Sequence, residues 1–185
     1  MNVLAVVGSP RTNGNTAILT SRIVDGAQAA GATVDTVHLG RLTIRECDGC
    51  HACWRGRSCT KSDDMRPLYQ KIALADLLVL ATPVYWYGPT ALMKAFIDRF
   101  VYFNCPEHHP EVQAKKALVA LVLEEDNEAT WQPVMHFFDQ CLAYLEMDRI
   151  GRIVVPGVGP AGAIGKKPDE LNQAFELGRE VVGAM

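Results

Sequence analysis

The sequence predicts an α/β fold built around a doubly wound parallel sheet. Short, continuous apolar runs such as Val3–Val7 and Ala117–Leu123 are typical of strands that are buried on both faces. Along the chain they alternate with longer segments of helical periodicity, which is typical of repeated βα units. The 185 residues, 49% hydrophobic and 21% charged, are enough to form one domain, 1–185, with a sizeable core.

Each element has a local reason in the sequence. Apolar or alternating runs predict five strands, at Asn2–Val7, Thr33–His38, Asp76–Ala81, Ala117–Leu123 and Arg152–Val155. The segments between and after them predict helices at Thr16–Ala30, Asp63–Ala73, Thr90–Ile97, Asn127–Leu145 and from Pro168 onward. Gly31 ends the first helix, Asp63 and Asp64 cap the second, and Pro168 suits the first position of the last. Segment 41–61 has no periodicity and is predicted to be a long loop, and the Gly/Pro-rich segment 156–165 a surface loop.

Charge and hydropathy exclude several kinds of partner. The net charge is −3, whereas nucleic acids and anionic membranes bind basic surfaces, so we expect neither as a partner. No apolar run approaches the length of a transmembrane helix. Met1-Asn2 leads directly into the first strand with no charged region or cleavage site. We therefore expect no secretory signal and a cytoplasmic protein.

A polar loop between the first strand and the first helix is the first candidate site. Where a strand passes through such a loop into a helix N-terminus, free backbone N–H groups and hydroxyls form an anion site. The loop matches neither the G-x-G-x-x-G nor the Walker motif, which indicates a single phosphate monoester. We expect Ser9, Asn15 and Thr16 to donate hydrogen bonds and Arg11 to supply charge. Asn13 and Gly14 complete the loop, and the alternative is an ordinary capped turn.

The loop after the third strand is the second candidate site. It reads Pro83-Val84-Tyr85-Trp86-Tyr87-Gly88. Large rings are usually buried in the core, and three consecutive aromatic residues at the ligand edge of a parallel sheet are unusual. Aromatic and proline side chains suit the face of a planar ring, while backbone N–H groups meet its polar edge. The alternative is an aromatic cluster that packs an interface.

Together the two loops resemble those of the flavodoxin-like NAD(P)H-dependent FMN reductases. The resemblance covers about the first hundred residues and is carried by Gly8-Ser9-Pro10-Arg11, Gly14-Asn15-Thr16, Pro83-Val84-Tyr85-Trp86 and Leu92-Met93-Lys94-Ala95-Phe96-Ile97-Asp98-Arg99. It implies a five-stranded sheet of order 2-1-3-4-5 with helices on both faces. It also implies that the FMN phosphate lies at Ser9–Thr16 and the isoalloxazine ring at Pro83–Gly88.

The resemblance further implies an FMN-dependent oxidoreductase. NAD(P)H or a reduced carrier would deliver electrons, a small molecule or protein would accept them, and homodimers or homotetramers are implied. Flavin N5 carries the chemistry, so no catalytic side chain is expected. We interpret Lys94, Asp98 and Arg99 as structural, with Asp98 and Arg99 pairing locally. After the fourth strand the chain departs from the family pattern with Leu123-Glu124-Glu125-Asp126, which either contacts the flavin or caps the next helix.

Four of the six cysteines lie in the loop at 41–61 with the spacing C-x2-C-x2-C-x5-C, at Cys47, Cys50, Cys53 and Cys59. Four thiolates typically hold an iron–sulfur cluster, and tetrahedral zinc is the chemical alternative, with His51 as a substitute ligand. Beside the flavin motifs, the spacing resembles that of the iron–sulfur flavoproteins, which implies a 4Fe–4S cluster. Empty thiols, or a cluster that is lost or oxidised, are the remaining outcomes.

Other functions stay open at this point. A cluster-free reductase of quinones, azo compounds or free flavin would need only the two loops. A flavodoxin-type electron carrier would need neither the aromatic loop nor the cysteines, and a zinc-binding regulatory module would hold no flavin. Cys105 and Cys141 are expected to act as small apolar side chains.

Overall fold

A computed structural model describes residues 1–184 as a five-stranded sheet flanked by helices. The strands are β1 Asn2–Val7, β2 Thr33–His38, β3 Leu77–Pro83, β4 Lys116–Val122 and β5 Asp148–Val155. Their order is β2-β1-β3-β4-β5, and every neighbouring pair is parallel. The predicted fold class and strand order are confirmed.

Five α-helices cover the two faces of the sheet in the described part of the chain: α1 Asn15–Ala29, α2 Met65–Leu74, α3 Ala91–Asp98, α4 Glu128–Tyr144 and α5 Pro168–Gly183. Alternate residues of each strand point to opposite faces. In β1, Val3 and Ala5 pack with α1 and α5, whereas Leu4 and Val6 pack with the core formed by α2, α3 and α4. None of these helices combines the length and hydropathy that a membrane crossing requires.

Two glycines bring α1 and α5 into backbone contact. A Cβ atom on Gly26 would lie 1.9 Å from the carbonyl oxygen of Phe175, and one on Gly178 would lie 2.1 Å from that of Ile23. Both distances are far inside van der Waals contact, so no larger residue fits without moving a helix. The packing of α1 against α5 therefore depends on these two positions.

The fifth strand is longer than predicted. We expect it at Arg152–Val155, but it begins at Asp148. As an edge strand it buries few side chains over its first half, so the apolar run that marks a central strand is missing there. An ion pair between Asp148 and Lys116 of β4 joins the beginnings of the two strands.

Candidate active site and cysteine loop

The carboxyl ends of β1, β3 and β4 bring both candidate loops to one edge of the sheet, where ligands bind in this class of fold. A cavity of about 220 Å³ lies there. The predicted residues around it are Ser9, Arg11, Gly14, Asn15, Thr16, Pro83, Val84 and Tyr85, and they are joined by Val122, Leu123, Glu124, Val158 and Gly159. Four predicted residues do not line it: Asn13, Trp86, Tyr87 and Gly88.

The first loop offers hydrogen-bond donors to this cavity. The first backbone hydrogen bond of α1 runs from Ile18 N–H to the carbonyl of Gly14. The N–H groups of Asn15, Thr16 and Ala17 therefore have no partner within the helix, and they point from its positive end. The Ser9 hydroxyl accepts from the Arg11 N–H at 3.1 Å, which leaves its own proton free. These free donors lie together at the position where the sequence predicts an anion site.

The side chain of Asn15 has a different role from the one predicted. Its Nδ2 donates to the carbonyls of Val158 at 2.7 Å and Pro160 at 2.9 Å, and its Oδ1 accepts from the Ile164 N–H at 3.3 Å. An amide with these three partners has no donor left for a phosphate. Asn15 therefore ties the 156–165 loop to the start of α1, and only its backbone N–H faces the anion site.

Arg11 lies over the same loop. Its Nη1 donates to the carbonyl of Gly159 at 3.4 Å, and the side chain is exposed. A Cβ atom on Gly159 would lie 2.5 Å from the carboxyl carbon of Glu124. The 156–165 loop, expected only as surface, thus forms one wall of the cavity. Its Gly and Pro content alone gave no signal of that role.

The aromatic residues form a two-residue hairpin turn. Tyr85 and Gly88 exchange backbone hydrogen bonds of 2.9 and 3.0 Å, and the residues between them have positive φ, +48° for Trp86 and +60° for Tyr87. Positive φ at both central positions is the conformation of a type I′ turn, in which Asn and Gly are preferred. Trp86 is 96% exposed, so the turn presents its rings to the outside.

A second cavity of about 510 Å³ lies beside the aromatic turn and shares Val84, Leu123 and Glu124 with the first. Its walls are Val84, Trp86, Tyr87, Leu123, Glu124, Glu125 and Thr130. The start of α4 is capped by Asn127, whose Oδ1 accepts from the Ala129 N–H at 3.0 Å, and Glu125 accepts from the Thr130 hydroxyl at 2.7 Å. Glu124 is not needed as a cap, and it borders both cavities.

The four cysteines of the 41–61 loop line one small cavity together with Asp48, Gly49, His51, Ala52, Lys61, Tyr69, Arg99, Val101 and Tyr102. Positive φ at Gly49, His51 and Gly56 turns the loop around them. The Gly49 N–H donates to Cys47 Sγ at 3.4 Å, and burial raises the pKa of the Cys53 thiol. No three Cys, His, Asp or Glu side chains of residues 1–184 are arranged to hold a metal ion.

Arg99 reaches this loop from the end of α3. Its side chain is 1% exposed, and Nη1 lies 2.6 Å from Asp63 Oδ2 while Nη2 donates to Cys59 Sγ at 3.2 Å. Burial opposes ionisation of Asp63, but the hydrogen bonds from Arg99 and from the Arg45 N–H hold the pKa of its carboxyl below the usual value. The predicted local pair of Asp98 and Arg99 is wrong, because Asp98 pairs with Lys94 one turn earlier.

The predicted cap of α2 is made by Asp63 and not by Asp64. Oδ1 of Asp63 accepts from the Met65 N–H at 3.2 Å, while its other oxygen holds Arg99. Asp64 accepts from the Thr43 N–H at 2.7 Å and so anchors the start of the cysteine loop. The two acidic residues therefore tie the loop to α2 and α3.

Comparison with known proteins identifies the family to which the chain is similar. Residues 1–156 match the family described as NADPH-dependent FMN reductase. An iron–sulfur flavoprotein of Methanocaldococcus jannaschii is 31% identical over 184 residues, 98% of this chain and 95% of that protein. Another, of Archaeoglobus fulgidus, is 29% identical over 184 residues, 100% of this chain and 80% of that protein.

A solved structure shares the fold. The NAD(P)H:quinone oxidoreductase from Methanothermobacter marburgensis is similar with a TM-score of 0.79 at 16% identity, over 98% of this chain and 96% of that one. At such low identity the similarity concerns the fold alone. The family match covers most of the sequence and both loops of the site. The chain therefore belongs to the NADPH-dependent FMN reductase family of FMN-dependent oxidoreductases.

Proposed function

We propose that the chain passes electrons between FMN at the carboxyl edge of the sheet and a 4Fe–4S cluster held by Cys47, Cys50, Cys53 and Cys59. The observation that carries the proposal is that all four thiols of one short motif line the same cavity. Four thiols are the usual donor set of such a cluster, and the similarity to proteins named iron–sulfur flavoproteins supports it. FMN supplies the conversion between two-electron hydride chemistry and one-electron transfer.

The phosphate of FMN would lie at the start of α1. The free N–H groups of Asn15 and Thr16, the hydroxyls of Ser9 and Thr16 and the Arg11 guanidinium supply the donors. Among residues 1–184, α1 is the only helix whose N-terminus lines this cavity, which favours the single phosphate of FMN over the two of FAD. Pro83, Val84 and the aromatic turn would cover the ring.

Glu124 gives the flavin site an electrostatic preference. Its carboxylate borders both cavities, so it would face a flavin that becomes anionic when fully reduced. Like charges at close range repel by about 1 kcal/mol in water, and salt screens this repulsion further because Glu124 is exposed. Glu124 would thus make the reduced flavin a stronger reductant, which suits onward transfer of its electrons.

The test is anaerobic purification followed by a visible spectrum, iron and sulfide counts, and the mass of the flavin released by heat. We expect FMN with a broad brown shoulder and about four iron atoms per chain. Changing Cys47, Cys50, Cys53 or Cys59 to Ala should lower iron and leave FMN bound, because the two sites lie in separate loops. Cys141→Ala, on α4 outside the loop, is the matched control. Iron unchanged in all four variants, or an FAD mass, would contradict the assignment.

One observation favours a second function. The thiols share a cavity, but the described residues hold no arrangement of three metal-binding groups. A cluster-free NAD(P)H-dependent reductase of FMN, quinones or azo compounds would need only the flavin site. It predicts flavin bands alone, no iron after anaerobic reconstitution, and full reduction of the flavin by NADPH or NADH.

We also propose that the active form is a homodimer or homotetramer in which the cysteine loop and the aromatic turn meet the flavin of a neighbouring subunit. The exposure of Tyr85, Trp86 and Tyr87 supports this, since aromatic residues are enriched at interface centres. Within residues 1–184, the flavin-side cavities and the cysteine cavity share no lining residue. Light scattering after gel filtration would measure the mass, and Trp86→Ala should lower it. A monomeric parent protein would contradict the proposal.

A further inference from the structure

The guanidinium of Arg99 is aimed at a sulfur atom in a way that a purely structural ion pair does not require. Asp63 neutralises the charge through Nη1 at 2.6 Å, and the carbonyl of Arg45 accepts from the same nitrogen at 2.9 Å. The other terminal nitrogen, Nη2, donates to Cys59 Sγ at 3.2 Å. The Arg99 and Asp63 side chains are 1% and 2% exposed, so water does not compete for these groups.

A neutral thiol is a poor partner for a buried cation, because its sulfur is only a weak acceptor. A sulfur that carries negative charge, as a thiolate or a cluster ligand does, would make this a charge-assisted hydrogen bond. The ring of Tyr69 also packs near the Arg99 guanidinium, with its centre 5.9 Å from the guanidinium carbon. The site is thus built to stabilise negative charge on Cys59.

Helix α3 places Arg99 at a fixed distance from the two loops of the proposed flavin site. Helix α3 begins directly after the aromatic turn. There the Thr90 hydroxyl donates to the carbonyl of Gly8, which lies in the polar loop between β1 and α1. The helix runs to Asp98, and Arg99 follows, about 14 Å along the axis from Thr90. One rigid helix therefore fixes the cysteine loop relative to the flavin loops.

From this geometry we infer that Arg99 is a positioning residue that holds the Cys59 sulfur and raises the reduction potential of the cluster bound there. The inference rests on the proposed function, because it requires a cluster on the four cysteines. Hydrogen bonds and positive charge near cluster sulfur stabilise the reduced, more negative state. Loss of the guanidinium should therefore make the cluster harder to reduce.

The experiment compares the parent protein with Arg99→Gln, Arg99→Lys and the double variant Asp63→Asn/Arg99→Gln. The double variant leaves no lone charge buried and so guards against misfolding. Lys94→Gln is the control, since it breaks an exposed ion pair on the same helix. Each protein is reconstituted anaerobically with iron and sulfide, and its iron, sulfide and FMN contents and the midpoint potential of the cluster are measured.

We expect FMN to remain bound in all variants and the midpoint potential to fall in Arg99→Gln and in the double variant. In Arg99→Lys it should fall less, because the charge is kept, and in Lys94→Gln it should not change. Loss of iron with FMN retained in Arg99→Gln, but not in Arg99→Lys, would also support the positioning role. Potentials that match the parent in all Arg99 variants, or joint loss of iron and FMN in each of them, would overturn it. A parent protein that binds no iron would instead show that the proposed function has failed.

Discussion

We expect that relieving the backbone strain of the aromatic turn stabilises the fold but weakens FMN binding. Trp86 and Tyr87 both have positive φ, a conformation that costs a residue with a side chain about 1–2 kcal/mol. Replacing them with the pair that type I′ turns prefer, Trp86→Asn with Tyr87→Gly, removes this strain. Trp86 is 96% exposed, so its loss removes little buried surface.

Part of this gain in folding free energy is offset because the new Gly gives the unfolded chain more backbone freedom. Gly loses more backbone entropy on folding than other residues, at a cost of roughly 0.5–1 kcal/mol. The net expectation is a stabilisation of at least about 1 kcal/mol. For a chain of this length that corresponds to a rise in Tm of about 2–4 °C. Thermal and urea unfolding of the flavin-free protein would measure both quantities.

The same change should weaken FMN binding. A well-placed pair of aromatic rings contributes about 0.5–1.5 kcal/mol beyond the area that it buries. Loss of both rings should therefore raise the Kd for FMN about tenfold, measured by quenching of flavin fluorescence.

The control for both effects is Trp86→Ala with Tyr87→Ala. It removes the same rings, but Ala is also disfavoured at positive φ, so the strain remains. We expect equal loss of FMN affinity in the two double variants and a gain in stability only with Asn-Gly. Equal stability of the two variants would refute the strain argument, and unchanged FMN affinity would refute the assignment of the rings to the flavin.

Three further changes test other parts of the structure. Thr16→Val should raise the Kd for FMN by about 10- to 150-fold, because a hydrogen bond to a charged group contributes about 1.5–3 kcal/mol; fluorescence titration would show it. Gly26→Ala should destabilise the fold by about 1–3 kcal/mol in urea unfolding, because α1 and α5 must move apart. The lowered pKa of Asp63 contributes stability that is present above about pH 4 and lost as the pH falls through its folded-state pKa. Acid titration should show a shallower loss of stability in Asp63→Asn, and identical slopes would contradict the assigned pair.

The sheet could be predicted because its central strands leave a clear trace in the sequence. Strands β1, β3 and β4 are buried on both faces, so each appears as a continuous apolar run between polar residues. The edge strand β5 leaves no such trace over its first half, and it begins four residues before the predicted start. Burial, rather than strand formation itself, is the property that the pattern reports.

The candidate site could be predicted where it consists of short loops at strand ends. It could not be predicted where distant segments meet. Asn15 fits the pattern of a phosphate donor, but its partners lie 143 to 149 residues further along the chain. Nothing local distinguishes an amide that binds a ligand from one that binds a distant loop.

The pairing of Arg99 could not be predicted for the same reason. Asp98 and Arg99 are adjacent, but neighbouring residues on a helix point in different directions, so Asp98 meets Lys94 on the exposed face while Arg99 turns inward. Inside, it finds Asp63 and Cys59, 36 and 40 residues away. A buried cation that joins the cysteine loop to the helix leaving the aromatic turn gives the KAFIDR segment a role that local pairing does not explain. Helix α3 therefore joins the two loops at the carboxyl edge of the sheet to the cysteine loop, through Thr90 at its start and Arg99 at its end.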